Sequence, residues 1–215
     1  MRRATIPFVA IYADESCLGN GREGNNPGGA GGLIEYSRGA NAVIVRRDYW
    51  ISEPSTTNNR MALRSVIEAF RGLGAKGNVF DAVFTSDSKY LISGMTEWVH
   101  GWARRGWRRS GGPIENLELW WEAIRAVGAN RVAWRWVRGH DGHPQNEYAN
   151  HLATKAAREQ TSSDGLEPSL FDTWVIGEQD SGRVSIPPFP FPSRDTFRAD
   201  PLLPAPPELH HTPFA

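Results

Sequence analysis

The sequence predicts an α/β fold built on a five-stranded mixed sheet, three antiparallel strands followed by two parallel ones, with helices on both faces. Three β-prone apolar runs come first, with no helical pattern between them. Helical periodicities and further apolar runs then alternate as far as residue 158. Beyond Gln160 the composition changes: 10 of the 15 prolines fall in residues 161–215, which sets that stretch apart.

The run FVAIYA, Phe8 to Ala13, is apolar and ends in Asp14-Glu15-Ser16, so the first strand delivers an acidic cluster at its carboxyl end. Glycines from Gly19 to Gly32 read as a turn-rich connection to a second strand near Leu33–Tyr36, and Ala42–Arg46 reads as the third. After Pro54, the hydroxyls of Ser55-Thr56-Thr57 offer helix caps. Leu63, Val66, Ile67 and Phe70 then follow at the spacing of an amphipathic helix that ends near Gly72–Gly74. A fourth strand, Ala82–Thr85, leads to Ser86-Asp87-Ser88. Helical patterns come next at Ser88–Ser93, Met95–Arg105 and Asn116–Val127. Val132–Val137 is the last strand, and Asn146–Arg158 the last helix, with Ala149, Leu152, Ala153 and Ala156 on one face.

Prolines such as Pro187-Pro188-Phe189-Pro190-Phe191-Pro192 argue against a helix or a central strand in 161–215. The expectation is a folded domain over 1–160 and a proline-rich acidic tail over 161–215, partly extended or disordered, resting on the domain through Leu170-Phe171 and Trp174-Val175-Ile176. The alternative is a polyproline-type docking peptide for a protein partner.

The formal charge is zero but unevenly spread: residues 1–160 hold 21 Lys+Arg against 16 Asp+Glu, and 161–215 hold 3 against 8. A single cysteine, Cys17, excludes an internal disulfide. The sequence shows neither an apolar run of transmembrane length nor a signal peptide after Met1-Arg2-Arg3. A monomer in the reducing cytoplasm, with no membrane partner, is expected.

Asp14 and Asp87 each follow a strand. If those strands are parallel neighbours, both carboxylates emerge at one sheet edge, where they can hold hard divalent cations. Aspartates at strand ends also serve as ordinary turn formers, so the pair alone leaves both readings open.

Four strings occur in order: Asp14-Glu15-Ser16-Cys17-Leu18-Gly19-Asn20; Thr56-Thr57-Asn58-Asn59-Arg60-Met61; Thr85-Ser86-Asp87-Ser88; and Gly139-His140-Asp141-Gly142-His143-Pro144-Gln145-Asn146-Glu147. Together they resemble the signature segments of bacterial-like type 1 ribonucleases H, over roughly residues 8–158. The resemblance implies a ribonuclease H-like fold and hydrolysis of the RNA strand of RNA/DNA hybrids, leaving 5′-phosphate and 3′-hydroxyl ends. It also implies two Mg²⁺ ions roughly 4 Å apart, with Mn²⁺ as a substitute. Asp14 matches the metal-bridging aspartate, Asp87 a second ligand, and His140 a mobile proton-handling histidine.

Two positions depart from the family pattern. Its glutamate after Asn-Asn-Arg-Met is Ala62 here, and its aspartate in the last helix is Asn150. Alanine ligates nothing, whereas Asn150 offers a neutral carbonyl as a weakened ligand. The expected metal ligands are therefore Asp14, Asp87 and Asn150, with attenuated activity. Three readings stay open: a divergent enzyme in which another acid compensates, Glu15 foremost and then Glu147 or Glu68; an enzyme carrying inactivating substitutions; or a degenerate hybrid-binding module. On the first reading, Glu15 joins Asp14, Asp87, His140 and Asn150 in the catalytic set.

The segment MTEWVHGWARRGWRRSGGP interleaves Trp98, Trp102 and Trp107 with Arg104, Arg105, Arg108 and Arg109, and it resembles the family's basic protrusion. Arginines meet phosphates and flat indoles pack on sugars, a combination suited to the DNA strand of a hybrid; the bland reading makes Trp98 and Trp102 core. The resemblance further assigns Asn20, Asn58 and Asn59 to minor-groove and 2′-hydroxyl contacts, and Thr57 and Arg60 to a DNA phosphate. Helix capping is the alternative for Thr57 and Asn58. Lys89 adds charge beside Asp87, and Trp120, Trp121, Trp134 and Trp136 are expected to pack in the core or directly behind the active-site residues. Integrases and resolvases fit less well, since they lack the Thr-Thr-Asn-Asn string combined with a basic, tryptophan-rich insertion.

Overall fold

Strand β1 (Phe8–Cys17) lies at the centre of the sheet, and its side chains alternate between two apolar layers. Val9, Ile11 and Ala13 join the larger core with Leu63, Phe70, Phe84, Trp120 and Trp134, whereas Ala10 and Tyr12 join a second core with Leu33, Tyr148, Leu152 and Phe171. The structure, a computed structural model, describes residues 6–19, 26–38, 43–75, 77, 79–139 and 141–208. β2 (Gly28–Arg38) pairs antiparallel with β1, and β3 (Val43–Glu53) pairs antiparallel with β2. β4 (Asp81–Ser86) runs parallel to β1, and β5 (Arg131–Trp136) runs parallel to β4. These are the five expected strands in the expected pairing sense. A sixth, β6 (Glu167–Pro168), corrects the count: it pairs antiparallel with β3 and gives the order β5-β4-β1-β2-β3-β6.

Helix α1 (Asn58–Gly74) starts at Thr57, whose hydroxyl accepts the Arg60 N–H at 3.4 Å, and it buries Leu63, Val66, Ile67 and Phe70 against one sheet face. α2 (Lys89–Ser93), a π-helical turn (Gly94–Trp98) and α3 (Val99–Arg104) follow without a break. The expected pair of separate helices is thus one, widened where Gly94 has no side chain to obstruct the ring of Trp120. α4 (Leu117–Val127) carries that tryptophan and packs on α1. α5 (Pro144–Glu159) covers the opposite face.

The glycines expected in a turn-rich connection lie in part within β2. A Cβ on Gly29 or Gly31 would run into the α5 backbone at Ala153 and Ala157, and one on Gly32 into the Tyr49 ring. Glycine here is a spacing device: it lets α5 sit directly on β2.

Residues 161–208 rest on the domain through Phe171, Trp174 and Val175 as expected, with Leu170 and Ile176 exposed, but they include a helix that was not expected. The prolines spare residues 169–186, and in that window Phe171, Trp174 and Val175 share the i, i+3, i+4 face of α6 (Phe171–Asp180). Phe171 is fully buried, and Val175 and Val184 nearly so. Arg46 bridges buried Glu35 and Asp172 of α6 at 2.7 and 2.8 Å while stacking on Phe171 at 5.1 Å. Buried Asp48 accepts the Tyr148 hydroxyl at 2.6 Å and the Leu170 N–H at 3.1 Å.

This segment also closes both sheet edges. On β3, β6 and the pair Ser162 and Ser163 satisfy backbone groups of Trp50 and Ser52. On β5, Asp200 donates its N–H to Val132 O at 2.8 Å and accepts the Trp134 N–H through its carboxylate at 2.7 Å. Arg194 reaches buried Asp81 at 3.1 Å, beside the bidentate Arg131–Asp81 pair at 2.7 Å. An unpaired strand edge is a template for aggregation, so both contacts protect the sheet. Ending the chain at Gln160 removes three buried apolar side chains worth roughly 1.5–3 kcal/mol each and bares both edges. Thermal denaturation of that truncation is expected to show a Tm lower by on the order of 10 °C or more, with concentration-dependent aggregation.

A candidate metal-binding active site

The last pair between the parallel strands β1 and β4 is Ala13 with Ser86; β1 then continues to Cys17 while the other chain turns through Asp87 into α2. Asp14 and Glu15 thus stand beside Asp87 at the open end of the sheet. Strand alternation sends the two neighbours to opposite faces. Asp14 faces α5, where its Oδ2 accepts the Asn146 Nδ2–H at 3.2 Å; its Oδ1 accepts the Glu15 backbone N–H at 2.7 Å. Glu15 follows the parity of Val9, Ile11 and Ala13 toward the face of α1, which carries Ala62, and the Ser88 side chain hydrogen-bonds to it.

One carboxylate oxygen from each of Asp14, Glu15 and Asp87 falls within 4.8 Å of the others. Burial comes first and mutual repulsion second in raising these acids: Asp14 is pushed up to about 9 and Glu15 to about 8, both with Asp87 as the leading charge. Three hard oxygen donors crowded at high electrostatic cost suit a divalent cation, which removes that cost on binding. A further oxygen, Asn146 Oδ1, is buried beside Asp14 and finds no hydrogen-bond partner among the described residues. Gly139 packs so tightly on Asp87 that a Cβ there would collide with the Asp87 carboxylate. The donor set fits the metal that the sequence implies.

Of the acids considered as substitutes, Glu15 lies in the cluster, while Glu68 on α1 pairs with Arg71 at 4.0 Å. Glu147, half-buried on α5, adds a raising charge to Asp14. Asn150 sits one turn beyond Asn146, half-buried, and its Oδ1 accepts the Thr154 hydroxyl at 3.4 Å. Ala62 is fully buried in the apolar core. His140 and Asn20 lie outside the described residues. Asn146, Ser88 and Gly139 belonged to the quoted strings but had no assigned role; only their neighbours in space supply one.

Around this centre, Thr57 caps α1, Asn58 and Asn59 occupy its first turn, and Arg60 is 4.0 Å from Glu53. Lys89 is exposed, its Nζ 4.8 Å over the ring of Trp136, which donates to the Asp87 carbonyl at 3.0 Å. Trp136, 44% exposed, packs directly behind Asp87 and outside the core, whereas Trp134 is buried in the core, the two placements expected of these tryptophans. Trp102 is buried between Trp98 and Trp120, and Trp98 is 36% exposed. Tyr90, Trp98, Trp102, Arg109, Ile114 and Glu115 line a cleft of about 260 Å³. Trp107, at a left-handed φ of 60°, packs edge-on against Trp121, and Arg104, Arg105, Arg108 and Arg109 are exposed. Both Trp98 and Trp102 line this cleft, Trp102 from the core and Trp98 from the surface.

Known proteins resemble the chain over this same region. The family model described as RNase H matches residues 7–158. Ribonuclease H of Chromohalobacter salexigens is 39% identical over 155 residues, covering 72% of this chain and 87% of that protein. Ribonuclease H of Erythrobacter litoralis is 41% identical over 150 residues, covering 69% and 95%. A crystal structure of LC9-RNase H1, described as a type 1 RNase H with the type 2 active-site motif, superposes with a TM-score of 0.87 at 59% identity, covering 95% of this chain and 97% of that one. The prototype foamy virus RNase H domain, at 14% identity and a TM-score of 0.58, shares the fold. With the family's strings in order along its sequence and three acids gathered where β1 outruns β4, the chain belongs to the ribonuclease H family of enzymes.

Proposed function

We propose that this protein is a divalent-metal-dependent endonuclease that hydrolyses the RNA strand of RNA/DNA hybrids, and that Glu15 supplies the carboxylate missing at Ala62. The observation that carries this reading is the position of Glu15: it belongs to the acidic cluster and, by strand parity, points to the sheet face that carries Ala62. A similar protein described as a type 1 RNase H with a type 2 active-site motif supports a relocated acid. A module that only binds hybrids is what Ala62 and Asn150 by themselves would produce; the third carboxylate favours the enzyme.

Asp14, Glu15 and Asp87 would hold Mg²⁺, or Mn²⁺ in its place, with Asn150 a neutral ligand at the margin. When bound, such ions activate the attacking water and stabilise the leaving oxygen. Asn146 holds one Asp14 oxygen, so the carboxylate is oriented before any ligand arrives. Trp98 and Trp107 with Arg104 and Arg105 hold the DNA strand, with Trp102 packed behind Trp98, and Lys89 offsets phosphate charge near Asp87. Thr57 and Arg60 hold a phosphate at the start of α1, and Asn20, Asn58 and Asn59 read the RNA side of the minor groove. His140 shuttles protons near neutral pH. The site works within residues 1–160, braced by the segment that follows, in a cytoplasmic monomer.

Cleavage of a labelled hybrid in Mg²⁺ tests the reading: product above an Asp14→Asn control is expected, and parity with that control overturns it. Glu15→Gln is expected to lower kcat by more than the roughly 10–100-fold that loss of an outer partner costs. Adding Ala62→Glu to Glu15→Gln restores part of the rate, because the carboxylate returns from α1. Ala62→Glu alone places a further charge in an apolar core and lowers Tm without raising kcat.

The raised acids also set a pH dependence. As pH climbs from about 4 toward 8–9, the unfolded chain releases the Asp14 and Glu15 protons while the metal-free folded state retains them, so these groups subtract more stability at each step. In EDTA, Asp14→Asn is therefore expected to raise Tm more at pH 8 than at pH 5. Equal shifts at both pH values would count against the repulsion described here.

A further inference from the structure

The C-terminal segment touches the start of α5 at Phe189. Gln145, fully buried, spends both ends of its amide on that residue's backbone: Nε2 donates to the Phe189 carbonyl at 2.8 Å, and Oε1 accepts the Phe189 N–H at 3.1 Å. A side chain here makes the two-bond exchange that a paired strand would make. The Phe189 ring stacks on His143 at 4.3 Å and 25°. His143 is the cap of α5: its Nδ1 accepts the Asn146 N–H at 3.4 Å, and its other neighbour is Tyr12 of β1, with ring centroids 5.5 Å apart. Burial holds the His143 pKa down, which keeps the neutral ring that capping requires. Asn146 in turn donates to Asp14. Contacts therefore run unbroken from Phe189 through residues 143–146 to the acidic cluster.

Two features of Phe189 bear on its role in this C-terminal strap. It is 46% exposed, so its ring contributes less by burial than Phe171 or Val184. Pro187, Pro188 and Pro190 surround it, and proline restricts the backbone before any contact forms. The peptide is pre-shaped to present one ring to one histidine.

We propose that Phe189 is a positioning residue for the active centre, holding the first turn of α5 so that Asn146 keeps Asp14 oriented against the repulsion of Glu15 and Asp87. The kinetic part of this inference rests on the nuclease reading, while the metal-binding part stands without it. Loss of the ring frees His143, the first turn of α5 loosens, and the Asp14 oxygens spread. The arginine- and tryptophan-rich hybrid grip lies on other elements and is untouched.

The test uses the full-length chain with Phe189→Ala, Phe189→Tyr and Arg135→Ala, measuring Mn²⁺ binding by calorimetry, hybrid cleavage and Tm. Phe189→Ala is expected to weaken Mn²⁺ binding and lower kcat by about tenfold each, with KM for the hybrid unchanged, and Phe189→Tyr to restore both. Arg135→Ala loosens the strap at its contacts with Arg198 and Asp200 on β5 and should lower Tm while leaving Mn²⁺ affinity at the parental value. Parental Mn²⁺ affinity in Phe189→Ala, or an equal loss in Arg135→Ala, overturns the proposal, because either outcome makes the strap a purely structural brace. If the parent cleaves no hybrid but Phe189→Ala still weakens Mn²⁺ binding, the positioning role stands and the nuclease reading falls.

Discussion

Repulsion among three carboxylates at one end of the sheet is the constraint around which the molecule is organised. Asp14, Glu15 and Asp87 meet because β1 outruns its parallel neighbour, and burial leaves too little solvent to screen them. A chain that keeps such a cluster bears a standing cost in the metal-free state. What surrounds the cluster limits how the acids can relieve it. Asn146 ties Asp14, Ser88 meets Glu15, and Gly139 lies flat on Asp87. The glycines of β2 set the depth at which α5 lies and hence where Asn146 arrives.

Relocating a carboxylate is a small change in sequence and a modest one in space. Residue 62 on α1 and residue 15 on β1 approach the site from the same side of the sheet, one from a helix and one from a strand. On the function proposed above, an alanine on the helix and an acid on the strand keep the same charge at the site. Ala62 itself is fully buried in the apolar core, where a charge would be costly.

The C-terminal segment is part of the folded structure. It contributes a strand, a helix and two lines of edge contacts, and it presses Phe189 onto the residue that caps α5. Its prolines suit this work: a segment that lies along edges and over surfaces needs few backbone donors and gains from limited freedom in the unfolded chain. The α-helix forms in the longest stretch that proline leaves free, residues 169–186.

The amino-acid sequence by itself determined the five principal strands, the major helices and the identity of the acids, because periodicity and turn residues are local properties of the chain. It also carried the family strings, whose order along the chain marks the fold. The sequence put Glu15 ahead of Glu68 as a substitute acid, but only the tertiary structure decided which acids meet: Glu15 joins the cluster and Glu68 pairs with Arg71. The same holds for the β2 glycines, which local rules assign to a turn and which α5 requires as a flat surface. It holds again for Trp134 and Trp136, two residues apart, on the same face of the strand, one buried and one open beside Asp87. Partners distant along the chain set burial, charge coupling and close approach, and no window of neighbouring residues contains them.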